Sequence, residues 1–130
     1  MAKKLTNREA LQYMLKYIDE AQDAGEAANN DFHVFNSTSI YYNAISMSLM
    51  SIGELSAQLS NEIKQQYTSV PWREMVGMRN YFAHGYWIMT PVDIWRTYQN
   101  DVPELKIIIE KILTENTIFL DELANGRSDS

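Results

Sequence analysis

The chain contains no cysteine, so neither a disulfide nor a thiolate metal site can form. Only five glycines and three prolines occur in 130 residues, and so few helix breakers favour long helices over many short strands. No run of about 18 apolar residues is present, which argues against a transmembrane helix. The basic N-terminal residues are not followed by an apolar stretch, so no signal peptide is indicated and we expect a cytoplasmic protein without a membrane partner.

The chain is also short of positive charge, because 11 Lys and Arg stand against 17 Asp and Glu and give a net charge of −6. Nonspecific binding to nucleic acid depends on cations that neutralise phosphates, so this balance argues against it and predicts no DNA partner. A net negative charge does not exclude a local basic cleft, since the shape of the electrostatic field matters more than the total charge. The length suits one domain covering residues 1–130, with a frayed tail at about 126–130.

Apolar residues recur at helical spacing along most of the chain and predict five helices. The starts of three of them are marked by a capping box at Thr6 and by cap-and-proline pairs at Thr90 and Asp101. The predicted helices run from Thr6 to about Ala24, from Ser37 or Ser39 to about Gln66, from Pro71 to His84, from Thr90 through Tyr98 and from Asp101 to Asn125, with a connection from Gly25 to Asn36. The predicted fold class is all-α: an antiparallel four-helix bundle with an additional short helix.

Gly53 and Glu54 interrupt the apolar stripe of the long second helix. That stripe comprises Ile40, Ala44, Ile45, Leu49, Ile52, Leu55, Leu59 and Ile63. A glycine inside a helix costs about 1 kcal/mol relative to alanine, so we interpret Gly53 as a point of close packing against another backbone. Glu54 is either a solvated surface residue or the partner of a buried cation, for which Arg79 is the candidate.

Four polar groups of different chemistry lie within the short segment from Arg79 to Tyr86, which is otherwise mostly apolar and aromatic. On a regular helix Asn80 and His84 lie on one face, whereas Arg79 and His84 diverge by roughly 140°. Gly85 can end the helix in a left-handed cap, which would place His84 in the last turn and Tyr86 just beyond it. Two interpretations of the segment are therefore open. It is a polar functional cluster at a helix end, or His84 only satisfies the last carbonyl groups of the helix and the other polar side chains are ordinary packing and surface residues.

A metal site is conceivable only at Asp31 and His33, which lie in the predicted connection. A third and a fourth ligand are not apparent in the sequence. We therefore predict neither a metal nor another cofactor.

Four motifs, in their order along the chain, resemble the HepT-like branch of the HEPN superfamily. They are Ile52-Gly53-Glu54, Val70-Pro71-Trp72, Gly77-Met78-Arg79-Asn80 and His84-Gly85-Tyr86, and the resemblance extends roughly from Arg8 to Leu120. The family signature is an arginine, usually followed by a polar residue, with a histidine after four intervening positions and a tyrosine two residues further on. Arg79, Asn80, His84 and Tyr86 match each element of it. The segment Tyr41-Tyr42-Asn43-Ala44 departs from the family, because it lacks the charged residues expected before the Gly-Glu pair.

The resemblance implies a metal-independent endoribonuclease that acts as the toxin of a toxin–antitoxin pair. It implies Arg79, Asn80 and His84 as catalytic residues, with Glu54 in a supporting position. It further implies a homodimer in which two copies of the motif face one cleft. The partners implied are an RNA substrate, either tRNA or mRNA, and a minimal nucleotidyltransferase antitoxin that adenylylates Tyr86.

The residue types suit RNA cleavage, because an imidazole can carry a proton near neutral pH and a guanidinium fork fits phosphate oxygens. Three tryptophans, Trp72, Trp87 and Trp95, and eight tyrosines are more aromatic surface than one bundle core readily buries, which also predicts a dimer. Two alternatives remain open. One is a catalytically silent HEPN subunit that binds a nucleotidyltransferase, as the acidic balance favours, and the other is an unrelated helical dimerisation module.

Overall fold

The computed structural model describes residues 4–85, 90–116 and 118–124, and for residues 81, 83 and 84 it describes the helix backbone only. Over these ranges it contains seven helices and no β-strand, which confirms the all-α prediction. The helices are α1 (Asn7–Ala27), α2 (Phe32–Phe35), α3 (Ser39–Gln58), α4 (Asn61–Gln66), α5 (Trp72–Gly85), α6 (Pro91–Asn100) and α7 (Val102–Glu115). The predicted tail at 126–130 lies outside the described residues.

Helix α1 begins as the capping box predicts. The Thr6 hydroxyl accepts a hydrogen bond from the Glu9 N–H at 3.1 Å, and the Glu9 carboxylate accepts one from the Thr6 N–H at 3.0 Å. The predicted end of the helix at Ala24 is wrong, since α1 continues to Ala27. The predicted connection after it also contains a helix, α2, because the Asp31 carboxylate caps its first N–H groups at 2.8 and 3.2 Å.

The predicted continuous helix up to Gln66 is interrupted between α3 and α4. The interruption has a tertiary cause in Asn7, which is fully buried. The Asn7 side-chain oxygen accepts a hydrogen bond from the Ser60 N–H at 3.0 Å, and its amide donates to the Ser60 hydroxyl at 3.1 Å. Ser60 thus exchanges helical hydrogen bonding for a contact with the start of α1 and becomes the N-cap of α4.

Near the C-terminus the prediction of a helix up to Asn125 is wrong, because α7 ends at Glu115. The Asn116 side-chain oxygen accepts hydrogen bonds from two following backbone N–H groups at 3.2 and 3.0 Å, which turns the chain. The segment 118–124 then returns to the start of α1. There the carbonyl groups of Leu120 and Glu122 accept the first N–H groups of α1, each at 2.8 Å. This segment therefore satisfies backbone donors that a helix start leaves without partners.

The starts of α6 and α7 differ in their capping. Thr90 caps α6 as predicted, since its hydroxyl accepts from the Asp93 N–H at 3.2 Å and Pro91 is the first helical residue. Asp101 precedes α7 but its side chain makes no capping hydrogen bond. Burial raises the pKa of the Asp101 carboxyl, and the nearby charges of Glu104 and Glu74 raise it further.

Helix α3 is central to the packing: it contacts α1 on one side, α5 on another, and also α6. The α3 residues from Ile45 onward in the predicted stripe are buried, whereas Ile40 and Ala44 are exposed, so that part of the prediction is wrong. Trp72 and Trp95 pack into the core of the protomer. In the part of the chain that the structure describes, no helix is both long and apolar enough to cross a membrane.

Candidate active site

The crossing of α3 over α5 at Gly53 sets the position of the candidate site. A methyl group added at Gly53 would lie 2.6 Å from the carbonyl oxygen of Met75 and 3.2 Å from the backbone nitrogen of Arg79. The two helix backbones therefore approach closely at this residue, which confirms the interpretation of Gly53. Because Glu54 follows Gly53 directly, the crossing brings its side chain to Arg79.

Arg79 links the two helices through its guanidinium group. Its Nη1 donates to the Glu54 carboxylate at 3.4 Å, while its Nε and Nη2 donate to the side-chain oxygen of Asn80 at 3.1 and 2.9 Å. The second Glu54 oxygen accepts from the side-chain amide of Gln58, also at 3.4 Å. The structure thus brings together three of the residues that the sequence singled out.

The ion pair between Arg79 and Glu54 lies at the surface rather than in the core. The Arg79 side chain is 23% exposed and that of Glu54 is 50% exposed. Glu54 is therefore the predicted partner of Arg79, but the pair is not buried. An ion pair this accessible to water contributes only about 0–1 kcal/mol to stability, so its main effect is to orient the guanidinium.

His84 and Tyr86 are only partly placed. Helix α5 continues to Gly85, so His84 lies in its last turn as predicted, on the same helix face as Asn80. Gly85 is the last residue of the helix rather than a residue beyond its end. The side chain of His84, and Tyr86 as a whole, lie outside the described residues. On a regular helix the positions of residues 79 and 84 are about 140° apart, whereas positions 80 and 84 share a face. Asn80, at the position that shares a face with residue 84, is the residue that contacts Arg79.

The Arg79 side chain lies in an open groove with a volume of about 590 Å³. The residues that line the groove are Tyr13, Tyr17, Met50, Ser51, Glu54, Leu55, Arg79 and Asn80. Tyr13 and Tyr17 come from α1 and belong to none of the four motifs. The sequence signal that could have identified them is their four-residue spacing along the edge of the buried stripe of α1, which places both rings on one side of the helix.

Among the His, Asp and Glu side chains that the structure describes, which do not include that of His84, no group of three or more is arranged to hold a metal ion. Asp31 and His33 do not form such a site, because the Asp31 carboxylate caps α2 through the backbone N–H groups of His33 and Val34. The groove contains the guanidinium group of Arg79, the carboxamide of Asn80, the carboxylate of Glu54 and the phenol rings of Tyr13 and Tyr17.

Comparisons with known proteins identify relatives of the chain. It matches the family described as Ribonuclease HepT-like over residues 14–112, a stretch that includes Glu54, Arg79, Asn80, His84 and Tyr86. A predicted RNase of Methanocaldococcus jannaschii is 28% identical over 82% of this chain and 98% of the relative. A second predicted RNase of that organism is 30% identical over 81% of this chain and 85% of the relative.

A predicted ribonuclease HepT of Thermococcus cleftensis is 36% identical over 53% of this chain and 63% of the relative. No solved structure gives a significant match. The family description and the names of these relatives indicate ribonuclease activity of the HEPN type. The chain belongs to the ribonuclease HepT-like family.

Proposed function

We propose that the chain is a metal-independent endoribonuclease of the cytoplasm, acting as the toxin of a HEPN/nucleotidyltransferase pair. The observation that carries the proposal is the convergence of Arg79, Asn80 and Glu54 on one open groove, formed in part by the helix whose last turn contains His84. Family membership supports the ribonuclease class and contradicts an unrelated dimerisation module. The proposed substrate is an RNA, either tRNA or mRNA.

In the proposed reaction the RNA supplies its own nucleophile, the 2′-hydroxyl group. The 2′-oxygen attacks the adjacent phosphorus, and the bond from phosphorus to the 5′-oxygen breaks. One imidazole takes the proton of the 2′-hydroxyl, and a protonated imidazole gives a proton to the departing 5′-oxygen. His84 suits either step, because the unperturbed pKa of histidine lies near neutrality. The products are a 2′,3′-cyclic phosphate and a 5′-hydroxyl end.

Arg79 stabilises the charge that grows on the nonbridging phosphate oxygens in the transition state. Its fork is held by the Asn80 side-chain oxygen at 2.9 and 3.1 Å and by Glu54 at 3.4 Å. Asn80 orients the arginine, and in this proposal it also hydrogen-bonds the imidazole of His84, four residues later in the sequence, or the phosphate. Glu54 supports the site by orienting Arg79, at the cost of a negative charge that opposes the phosphate.

We further propose that four long helices form an antiparallel bundle that dimerises, so that two copies of the motif share one cleft. The four longest helices, α1, α3, α5 and α7, supply the bundle. The tryptophan argument for a dimer is wrong for Trp72 and Trp95, which are 9% and 6% exposed within the protomer, and Trp87 lies outside the described residues. A better argument is the outer face of α3, where Ile40 and Met47 are 72% and 58% exposed.

The antitoxin in this proposal is a minimal nucleotidyltransferase that attaches AMP to Tyr86. The added phosphodiester places an anion two residues beyond His84, where it competes for Arg79 and occupies the site of the scissile phosphate. After co-expression with the nucleotidyltransferase, we expect the intact mass of the chain to rise by one adenylyl group or more. Tyr86→Phe is the control, because it removes only the acceptor oxygen. A mass gain that persists in Tyr86→Phe, or no gain in the unaltered chain, would contradict this step.

The alternative function is a catalytically silent HEPN subunit that binds a nucleotidyltransferase. Two observations favour it: the net charge of −6 and the partial neutralisation of Arg79 by Glu54. The two functions make opposite predictions about RNA, because a silent subunit forms the complex without cleaving RNA at any concentration.

A cleavage assay on total RNA in the presence of a chelator separates these functions. We expect cleavage to persist, because the proposed reaction needs no metal, and we expect fragments that end in a 2′,3′-cyclic phosphate. A 2′,3′-cyclic phosphate blocks ligation of an adaptor to the 3′ end of the fragment. The fragments should therefore become ligatable only after treatment with a phosphatase that opens the cyclic phosphate and removes it. Absence of cleavage by the unmodified chain would favour the silent subunit, and cleavage abolished by the chelator would contradict the mechanism.

A further inference from the structure

The groove beside Arg79 is aromatic at the end formed by α1. Tyr13 and Tyr17 lie one helical turn apart, and both line the same groove as Arg79 and Asn80. The Tyr13 side chain is 46% exposed, although a ring of this size gains most from burial. Tyr17 is half-buried against the core, which holds its ring in place. We refer to these two residues as the tyrosine pair.

Basic groups accompany the tyrosine pair. The Lys16 ammonium lies 5.4 Å from the centre of the Tyr17 ring, a cation–π distance, and the Arg79 guanidinium lines the other part of the groove. Among the described residues that line the groove, Arg79 is the cation and Glu54 the anion, and Lys16 adds a second cation against the Tyr17 ring. A purely apolar partner would complement the two rings but not the cations beside them, whereas a ligand with both an anionic group and a flat aromatic group complements both.

We propose that the tyrosine pair is a stacking platform for an unpaired nucleotide of the RNA, next to the phosphate bound by Arg79. The proposal rests on the ribonuclease function and adds the form of substrate to it: single-stranded RNA or a loop. Phosphate-binding cations beside exposed aromatic rings are the combination by which proteins hold single strands, since every base has a face that can stack. The groove volume of about 590 Å³ falls within the roughly 300–1,000 Å³ of sites that hold small ligands.

A base paired within a duplex cannot present its face to these rings, so the platform also predicts a preference between substrates. A hairpin loop or an unpaired end offers bases that are free to stack, whereas a continuous duplex offers only its backbone. The bases contacted in this way lie beside the scissile link, because Arg79 lines the same groove as the tyrosine pair.

The test measures binding separately from cleavage. The probe is a single-stranded 2′-O-methyl oligoribonucleotide of mixed sequence, which keeps the bases and phosphates but lacks the nucleophile. Tyr13→Leu and Tyr17→Leu remove each ring while keeping an apolar residue of good helix propensity. We expect each to raise the Kd for the probe by about 5- to 150-fold, the range that corresponds to one stacked base. Tyr13→Phe and Tyr17→Phe keep the ring and are expected to bind as the unaltered chain does.

The same variants are assayed for cleavage and for oligomeric state, with thermal unfolding as a check that each is folded. We expect the leucine variants to raise KM for single-stranded RNA and to leave kcat nearly unchanged, and we expect a duplex probe to bind more weakly than a single strand. Unchanged Kd in folded leucine variants would overturn the platform while leaving the ribonuclease function intact. The platform would also be overturned if the phenylalanine variants bound the probe as weakly as the leucine variants do. A change of oligomeric state without a change in RNA affinity would assign the tyrosine pair to a protein contact instead.

If the chain binds the probe through the tyrosine pair but cleaves no RNA in the chelator assay, the ribonuclease proposal fails and the nucleotide platform stands. If the unaltered chain cleaves RNA and the leucine variants have the same KM as the unaltered chain, the platform fails and the ribonuclease proposal stands. The two proposals are thus separated by measurements on the same set of proteins.

Discussion

Replacing Arg79 or His84 by alanine is expected to lower the rate of RNA cleavage more than any other single change in the chain. Loss of a guanidinium that stabilises transition-state charge costs about 10²- to 10³-fold, and loss of a general acid or base costs about 10²- to 10⁴-fold. Both changes should act on kcat, because both groups act most strongly in the transition state. The measurement is the initial rate at saturating RNA for each purified variant.

Arg73→Ala is the matched control for Arg79→Ala, since Arg73 is an exposed arginine in the first turn of the same helix. It changes the net charge equally and is expected to retain the rate of the unaltered chain. The cleavage rate of Arg79→Lys should lie between those of Arg79→Ala and Arg73→Ala, because lysine keeps the charge but lacks the guanidinium fork that contacts Asn80 and Glu54. The double variant Arg79→Ala, His84→Ala should be about as slow as the slower single variant, since both act on one step. Equal rates in all variants would indicate a contaminating nuclease or remove both residues from the mechanism.

Local sequence signals predicted those parts of the fold that depend on neighbouring residues. Thr6 and Glu9 interact within one turn, and so do Thr90 and Asp93, so their capping patterns predicted the starts of α1 and α6. The break at Ser60 was not predictable in this way, because the residue that causes it, Asn7, is 53 positions away in the sequence. The end of α7 depends on the local turn at Asn116, a residue that a helix also tolerates, and on a return of the chain to α1.

The residues of the candidate site also differ in whether local sequence or tertiary packing brings them together. Arg79 and Asn80 are adjacent in the sequence, and their motif predicted them together. Glu54 could be predicted only as one of two alternatives, since its contact with Arg79 spans 25 positions and depends on the crossing at Gly53. The tyrosine pair carries no motif at all. It reaches the groove because α1 packs against α3, which is a consequence of the whole core and not of any short pattern.

Replacing Gly53 by alanine is expected to be the most damaging change that leaves every polar group of the site in place. The added methyl group would lie 2.6 Å from the Met75 carbonyl oxygen and 3.2 Å from both the backbone nitrogen and the Cβ of Arg79. These atoms belong to the backbone, or are attached to it directly, so they cannot move aside as the end of a flexible side chain could. Helix α5 must therefore shift away from α3. We expect a loss of about 1–3 kcal/mol in the free energy of unfolding, measured by urea denaturation.

Gly77→Ala is the control, because Gly77 lies inside the same helix α5 and a methyl group added there meets no described atom within 4 Å. Alanine should stabilise the chain at that position by up to about 1 kcal/mol, through its higher helix propensity. The comparison also tests the site. A shift of α5 moves Arg79 relative to Glu54, so Gly53→Ala should lose RNA cleavage at temperatures where it is still folded, whereas Gly77→Ala should not. If Gly53→Ala were as stable and as active as Gly77→Ala, the close contact of the two helices would not be what positions Arg79.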